Sequence, residues 1–178
     1  MIQNLKVVGI VVAKKHSKRF DRKNIHPVDG KPMYQHALDA IMESDYIDSV
    51  VVATDDETIQ NYCNKLGLEV IERKVNAIEP EEPLFDVIKF AYKSLDQSYD
   101  IIVNVMANSI RHKGGDIDEA IELLAVSRLG EVRSYDSRGI ENGLLVLDTS
   151  TLTKYELSAY VGMIQTDAKE IHYKFEID

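Results

Sequence analysis

The sequence predicts a single three-layer α/β/α domain with a mostly parallel sheet, and three observations carry that expectation. Apolar runs rich in β-branched residues recur at 7–13, 49–53, 68–71 and 100–105, each with the length of a buried strand. Between them, apolar residues recur at helical spacing, so the order strand, helix, strand, helix builds βαβ units with right-handed crossovers. The chain has 178 residues, 44% of them hydrophobic, which suffices for one core and is short for two, so 1–178 reads as one domain.

Taken in order, the first run (VVGIVVA) empties into a loop containing Lys14, Lys15, His16, Lys18, Arg19, Arg22 and Lys23. Residues 25–32 hold Pro27, Asp29-Gly30 and Pro32, a turn signal. A helix follows from Met33, with Tyr34, Ala37, Leu38, Ile41 and Met42 on one face. The second strand, 49–53, ends in Thr54-Asp55-Asp56, which can cap the next helix or face a ligand. That helix has the stripe Ile59, Tyr62, Cys63 and Leu66 and stops at Gly67. After the third strand, residues 72–83 carry no periodicity and read as a loop over the carboxyl edge of the sheet. Leu84, Val87, Ile88, Ala91, Tyr92 and Leu95 mark a third helix, and 100–105 a fourth strand interrupted by Asn104. A loop over 106–115 leads to a capping-box-like start at Asp116 and Glu119, with Ile117, Ala120, Ile121 and Leu124 inward. Residues 127–142 read as a polar connection with Arg128, Arg133 and Arg138, and 143–147 as a strand. A short helix is expected over 155–163 and an alternating strand over 168–177.

Charge sharpens the reading of the first loop. With 30 acidic and 21 basic residues the formal net charge is −9, which disfavours nucleic acid or an anionic membrane as partner and makes a local cationic cluster informative. Open α/β sheets bind ligands beyond the carboxyl ends of their strands, and ammonium and guanidinium groups neutralise phosphate oxygens. A polyphosphate site at residues 14–24 follows. Neither GxxxxGK[ST] nor a GxGxxG after the first strand is present, so side-chain cations and main-chain amides must do the binding. A single cysteine, Cys63, and the absence of an apolar run near eighteen residues point to a reducing, soluble, cytoplasmic setting. His16, His36 and His172 are read as surface or packing residues.

The segment AKKHSKRFDRKN at 13–24, GKP at 30–32 and VVVATDDETI at 50–59 resembles the acylneuraminate (CMP-sialic acid synthetase) cytidylyltransferases, whose first loop runs A-R-x-G-S-K-x-x-x-x-K-N, and the neighbouring Kdo cytidylyltransferases. Weaker echoes follow in the same order at Arg73, 108–124, 141–143 and 176–178. The resemblance implies a Rossmann-like, nucleotide-diphospho-sugar transferase fold and transfer of CMP from CTP to an acidic sugar with release of pyrophosphate. It assigns Lys18 and Lys23 to catalysis at the triphosphate. Lys14, Ser17, Arg19, Asn24 and Asn108 would bind substrate, and Arg73 and Arg111 would face the sugar carboxylate. Mg²⁺ would be the cofactor, with Asp178 as its carboxylate, and a homodimer is possible.

Departures from the family pattern leave a second reading open. Lys14 stands where the family has arginine and His16 where it has glycine, which removes a planar fork and adds a side chain beside the phosphates. VMANSI at 105–110 replaces the usual Q-P-T-S-P or Q-G-D-E-P, and the stretch from Leu124 to Gly143 is shorter than the family's sugar-binding and dimerisation insert. The alternative is a divergent, non-catalytic nucleotide- or sugar-binding regulatory relative. Transfer between another nucleotide and another sugar is a third possibility.

Overall fold

The computed structural model describes residues 4–73, 83–154 and 161–177. Its strands are β1 (Val7–Ala13), β2 (Pro27–Val28), β3 (Lys31–Pro32), β4 (Ser49–Thr54), β5 (Glu69–Glu72), β6 (Ile101–Met106), β7 (Ser109–Ile110), β8 (Glu131–Tyr135), β9 (Glu141–Asp148), β10 (Val161–Gln165) and β11 (Lys169–Glu170). The helices are α1 (Met33–Glu43), α2 (Glu57–Lys65), α3 (Leu84–Lys93), α4 (Gly114–Ser127) and α5 (Thr151–Lys154). Short 3₁₀ turns occupy Lys23–Ile25 and Lys174–Glu176.

Seven strands form the central sheet in the order β10-β8-β9-β6-β1-β4-β5. β1 pairs in parallel with both β4 and β6, β4 with β5, and β10 with β8. β9 pairs antiparallel with β6 and β8, so it alone runs against the others, and the mostly parallel α/β reading holds. The chain moves outward from β1 in one direction through β4 and β5, then returns to the other side at β6. That reversal beside β1 is where such sheets open a ligand crevice at their carboxyl ends.

Two apolar layers sandwich the sheet. Val7, Val11, Val52, Val103 and Val105 pack under α1, α2 and α4 through Leu38, Ile41, Ile59, Ile117 and Ile121. Val8, Ile10, Val51, Ile102 and Leu147 face α3 and α5 through Ile88, Ala91 and Leu152. Gly9 lets α1 lie close on β1: a Cβ there would sit 2.4 Å from Ile41 Cγ2. The helix starts and stops follow local chemistry. Asp56 caps α2, accepting Thr58 N–H at 2.8 Å, and Gly67 ends it with φ 72°.

Several expectations need correction. Met42 and Leu66, placed on inward faces by their spacing, are 45% and 48% exposed; Met42 is the next-to-last residue of α1 and Leu66 the C-cap of α2. α4 begins two residues before Asp116, so the capping box joins Lys113 and Asp116 and not Asp116 and Glu119: the Asp116 carboxylate accepts the N–H of the N-cap residue Lys113 at 2.9 Å. The polar stretch 127–142 contains β8. Its charges conceal the strand by satisfying one another: Arg133 donates to Glu131 (3.1 Å) and Glu141 (2.9 Å) on one face, while Val132 and Ser134 are buried on the other. The helix expected over 155–163 falls partly outside the described residues, and its end, from Val161, is strand β10. The alternating strand expected over 168–177 exists only at Lys169–Glu170. Beyond it, Glu176 accepts the N–H groups of His172 (2.7 Å) and Tyr173 (2.6 Å), which folds the chain into a turn. Of the loop expected over 72–83, Glu72 is the last residue of β5 and Pro83 the N-cap of α3, and residues 74–82 lie outside the described residues. No helix among the described residues is long and apolar enough to cross a membrane.

Candidate functional site

The basic loop after β1 is fastened from three sides. Asp55, following β4, accepts Lys15 N–H at 2.7 Å. Asp56, buried to 1% exposure, receives Arg22 Nη2 at 3.4 Å. Asn24 donates its Nδ2 to Lys14 O at 2.8 Å, tying the end of the loop to its beginning. The Thr54-Asp55-Asp56 segment is therefore a helix cap and a loop anchor together. Arg22, at φ 53°, turns the chain into the Lys23–Ile25 3₁₀ turn, which leaves Lys23 and Asn24 only 8% and 4% exposed. Among the described residues Asn24 Oδ1 is buried without a hydrogen-bond partner, an unmet acceptor of the kind that a bound ligand satisfies.

These anchors shape a cleft of about 240 Å³ at the carboxyl ends of β1, β5 and β6. Its cationic wall is Lys14, Arg19, Lys23 and Arg73, its apolar floor Val12, Met106, Leu84 and Val87, and its polar end Asn24, Asn108, Glu170 and His172. Arg73 is set by its N–H bond to Thr54 O at 3.2 Å. Four cations within one small cleft lower its potential barrier to a polyanion and gain strength from partial exclusion of water.

Six residues singled out from the sequence, Lys14, Arg19, Lys23, Asn24, Arg73 and Asn108, thus meet in one cleft. Ser17 and Lys18 lie on the same loop but do not line it; Lys18 is exposed. His16 is also outside, paired with Asp21 at 2.8 Å on the surface, where that bond lowers the Asp21 pKa. Asn108 is committed to structure: its Nδ2 donates to Glu170 Oε1 at 3.0 Å and to Ile171 O at 2.9 Å. Arg111 is elsewhere. It adopts φ 72° and lines a separate cavity of about 430 Å³ with Lys31, Asp39, Glu43 and Asp167. Asp178 lies outside the described residues. His36 is structural as expected, bonded to Val28 O at 2.8 Å. Cys63 is core, its thiol pushed up to about 11 by burial.

Sequence reasoning missed Glu170 and His172 as cleft residues. Their side chains approach at 3.3 Å, and the only available signal was their i, i+2 spacing, which puts both on one face of an extended segment. Among the described residues no group of three or more His, Cys, Asp or Glu is arranged to hold a metal. Glu170 is the one carboxylate among the described residues lining the cleft.

Comparison with known proteins agrees with this geometry. The family model described as "Cytidylyltransferase" matches residues 8–135, a span that includes β1, the basic loop and the cleft's β6 wall. The 3-deoxy-manno-octulosonate cytidylyltransferase of Zea mays is 38% identical over 103 residues, 58% of this chain and 33% of the relative. An N-acylneuraminate cytidylyltransferase of Streptococcus agalactiae is 27% identical over 133 residues, 74% of this chain and 32% of its own length. The chain thus spans about a third of the length of these curated relatives. Among solved structures, a CMP:2-keto-3-deoxy-manno-octonic acid synthetase complexed with CTP superposes with TM-score 0.77 over 94% of this chain and 93% of the other, at 13% identity. Rv0371c of Mycobacterium tuberculosis does so with TM-score 0.72 over 96% and 95%, at 11% identity, and these two likenesses speak to the fold. With the family model covering well over half of its residues and the cationic cleft standing where the fold opens its ligand crevice, the chain belongs to the cytidylyltransferase family.

Proposed function

We propose that the protein transfers CMP from CTP to an acidic sugar. The observation that carries this reading is the convergence of Lys14, Arg19, Lys23 and Arg73 with the buried, unmet Asn24 oxygen in one cleft beyond β1. In the reaction, a hydroxyl oxygen of the sugar bonds to the α-phosphorus of CTP, the bond from that phosphorus to the α–β bridging oxygen breaks so that this oxygen leaves with pyrophosphate, and the hydroxyl proton passes to water. Lys23 and Lys14 offset charge on the transferring phosphoryl, Arg19 offsets charge on the leaving pyrophosphate, and Arg73 faces the sugar carboxylate, so positioning and electrostatics supply most of the rate. Lys18 and Ser17, on the same loop, are in reach of the outer phosphates if the loop folds over them. Asn24 holds the loop closed through Lys14 O and offers its free oxygen to the nucleotide.

Mg²⁺ fits a site with few protein ligands, because it takes one or two carboxylates and completes its shell with phosphate oxygens and water. Glu170 is the carboxylate that would hold it, with Asp178 as the second candidate from the sequence. When bound, the ion would add to the charge neutralisation on the phosphates.

A second reading, a nucleotide-binding relative without efficient transfer, draws on Asn108. It lines the cleft in the segment that lacks the family's glutamine, but its amide is taken up by Glu170 and Ile171. Pyrophosphate release separates the two. The protein, Mg²⁺, a panel of nucleoside triphosphates and a panel of acidic sugars should release pyrophosphate with CTP and only when an acidic sugar is present. Tight CTP binding without release across the panel would overturn the transferase reading in favour of the binding one.

A further inference from the structure

Arg19 stands on the border between the nucleotide cleft and an outer cavity formed with His26, Tyr173, Lys174, Phe175 and Ile177. It is exposed, and a long cationic side chain at the surface spreads over many rotamers unless something holds it. Among the described residues the one group that engages its guanidinium is the Tyr173 ring, whose centroid lies 5.9 Å from Arg19 Cζ. We infer that Tyr173, backed by Phe175, is a positioning residue: it seats the Arg19 guanidinium at the edge of the cleft without neutralising it, so that the outer phosphates of CTP meet a cation already in place. The inference rests on the cleft being the nucleotide site and on Arg19 serving the pyrophosphate.

How an arginine is held decides what it can still do. A carboxylate partner fixes it through its N–H edges and cancels its charge, as Glu131 and Glu141 do to Arg133. A ring face attracts the guanidinium through its quadrupole and leaves the in-plane N–H donors and the positive charge for a phosphate. The outer cavity has no carboxylate among its described lining residues, so no anion of that wall competes for those donors.

The seat is fixed before any ligand arrives. Glu176 accepts the N–H groups of His172 (2.7 Å) and Tyr173 (2.6 Å), and Lys169 donates to Glu176 O. Phe175 stacks on the Tyr173 ring with centroids 5.4 Å apart and planes 12° from parallel. On the loop side, Phe20, the residue after Arg19, packs with Ile177 against Val28, Met33, Ile110 and Ile171, and it lies edge-on to His26 at 5.0 Å. The basic loop and the turn at 172–177 thus share one small apolar cluster, which sets the distance between Arg19 and its ring. Tyr173 and Phe175 remain 42% and 74% exposed, forgoing burial energy that such rings usually gain; a ring that seats an exposed cation stays at the surface with it.

Calorimetry on the full chain tests the assignment, with CTP and Mg²⁺ as one titrant and CMP, which lacks the pyrophosphate that Arg19 serves, as the other. Tyr173→Leu should weaken CTP about three- to tenfold, between the exposed and the desolvated range for a cation–π contact, and leave CMP within about twofold. Tyr173→Phe, which keeps the ring face, should bind CTP within about twofold of wild type. In an Arg19→Gln background, itself weaker for CTP, Tyr173→Leu should change nothing further. A ring that only shapes the turn would lower affinity equally in both backgrounds, and that result would overturn the proposal. So would undiminished CTP binding by Tyr173→Leu, or an equal loss for CMP, which would make the ring a contact of the base or ribose. Tyr173 is exposed, so Tyr173→Leu should melt with the wild type; if it melts lower, Tyr173→Met is the second ring-free variant, with the same outcomes expected. CTP binding by the wild type that none of these substitutions alters overturns this inference alone; failure of CTP to bind the wild type overturns the cleft assignment beneath it.

Discussion

Lys23 is where removal of one atom group should cost the most. It sits in the cationic wall, 8% exposed, on a turn held by Arg22, Asp56 and the Asn24 brace. Its stem is packed, so Lys23→Met is the substitution that removes the charge and keeps most of the hydrocarbon. A hydrogen bond to a charged group contributes about 1.5–3 kcal/mol net. A full unit-charge attraction at 4 Å amounts to about 1 kcal/mol in water and about 4 near a protein surface, which brackets that range. At about 1.4 kcal/mol per decade, the dissociation constant for CTP should rise about ten- to a hundredfold. The assay is isothermal calorimetry of CTP into wild type and Lys23→Met at about 0.05 and 0.5 M salt, with a melting curve for each. The wild type should lose affinity with salt more steeply than the variant, since one fewer phosphate contact is screened. A dissociation constant within twofold of wild type, with the melting temperature unchanged, would refute the placement of the triphosphate in this cleft.

Two further predictions concern the frame of the site. Asp56→Ala removes the α2 cap and one anchor of the basic loop; losing a cap costs about 1 kcal/mol, so melting should fall by about 2–4 °C, with CTP affinity falling alongside. A variant that melts lower but binds CTP normally would show that Arg22 does not need Asp56 to shape the loop. His112 is buried against Asn142 O at 3.0 Å, and burial lowers its pKa despite that bond and the nearby Asp116 charge. The unfolded imidazole, near its ordinary value of about 6.5, therefore takes up a proton before the folded one does, so stability is lost as pH falls below that value. Melting temperatures between pH 7.5 and 5.5 should drop more in wild type than in His112→Asn; equal slopes would contradict this.

The sequence carried the strands whose both faces are covered. β1, at Val7–Ala13, is a continuous apolar run, and Lys14, Lys15, Lys18, Arg19, Arg22 and Lys23 crowd the loop after it in an acidic chain, which is why Lys14, Lys23 and Asn24 could be picked out and do meet. β8 escaped because its charged residues, Glu131 and Arg133, are neutralised by each other and by Glu141 on a neighbouring strand; a single sequence displays the charges and hides the partners. Glu170 and His172 escaped for a related reason. They reach the cleft through bonds such as Asn108 to Glu170, across 62 residues of chain, and nothing local announces contacts of that range. Arg111 was placed by resemblance, yet its left-handed backbone and its lining of the neighbouring cavity belong to the tertiary arrangement of α1 and α4. Tyr173 and Phe175 read as one side of an alternating strand until Glu176 is seen to bend the segment and offer both rings outward.

Phosphorus NMR of the protein with CTP, Mg²⁺ and 3-deoxy-manno-octulosonate tests the central claim most directly. Transfer predicts that the three CTP resonances give way to pyrophosphate and one new phosphodiester resonance in equal molar amounts, and that the same mixture without sugar stays unchanged. CTP signals that persist with the sugar present, across this and N-acetylneuraminate, would contradict it.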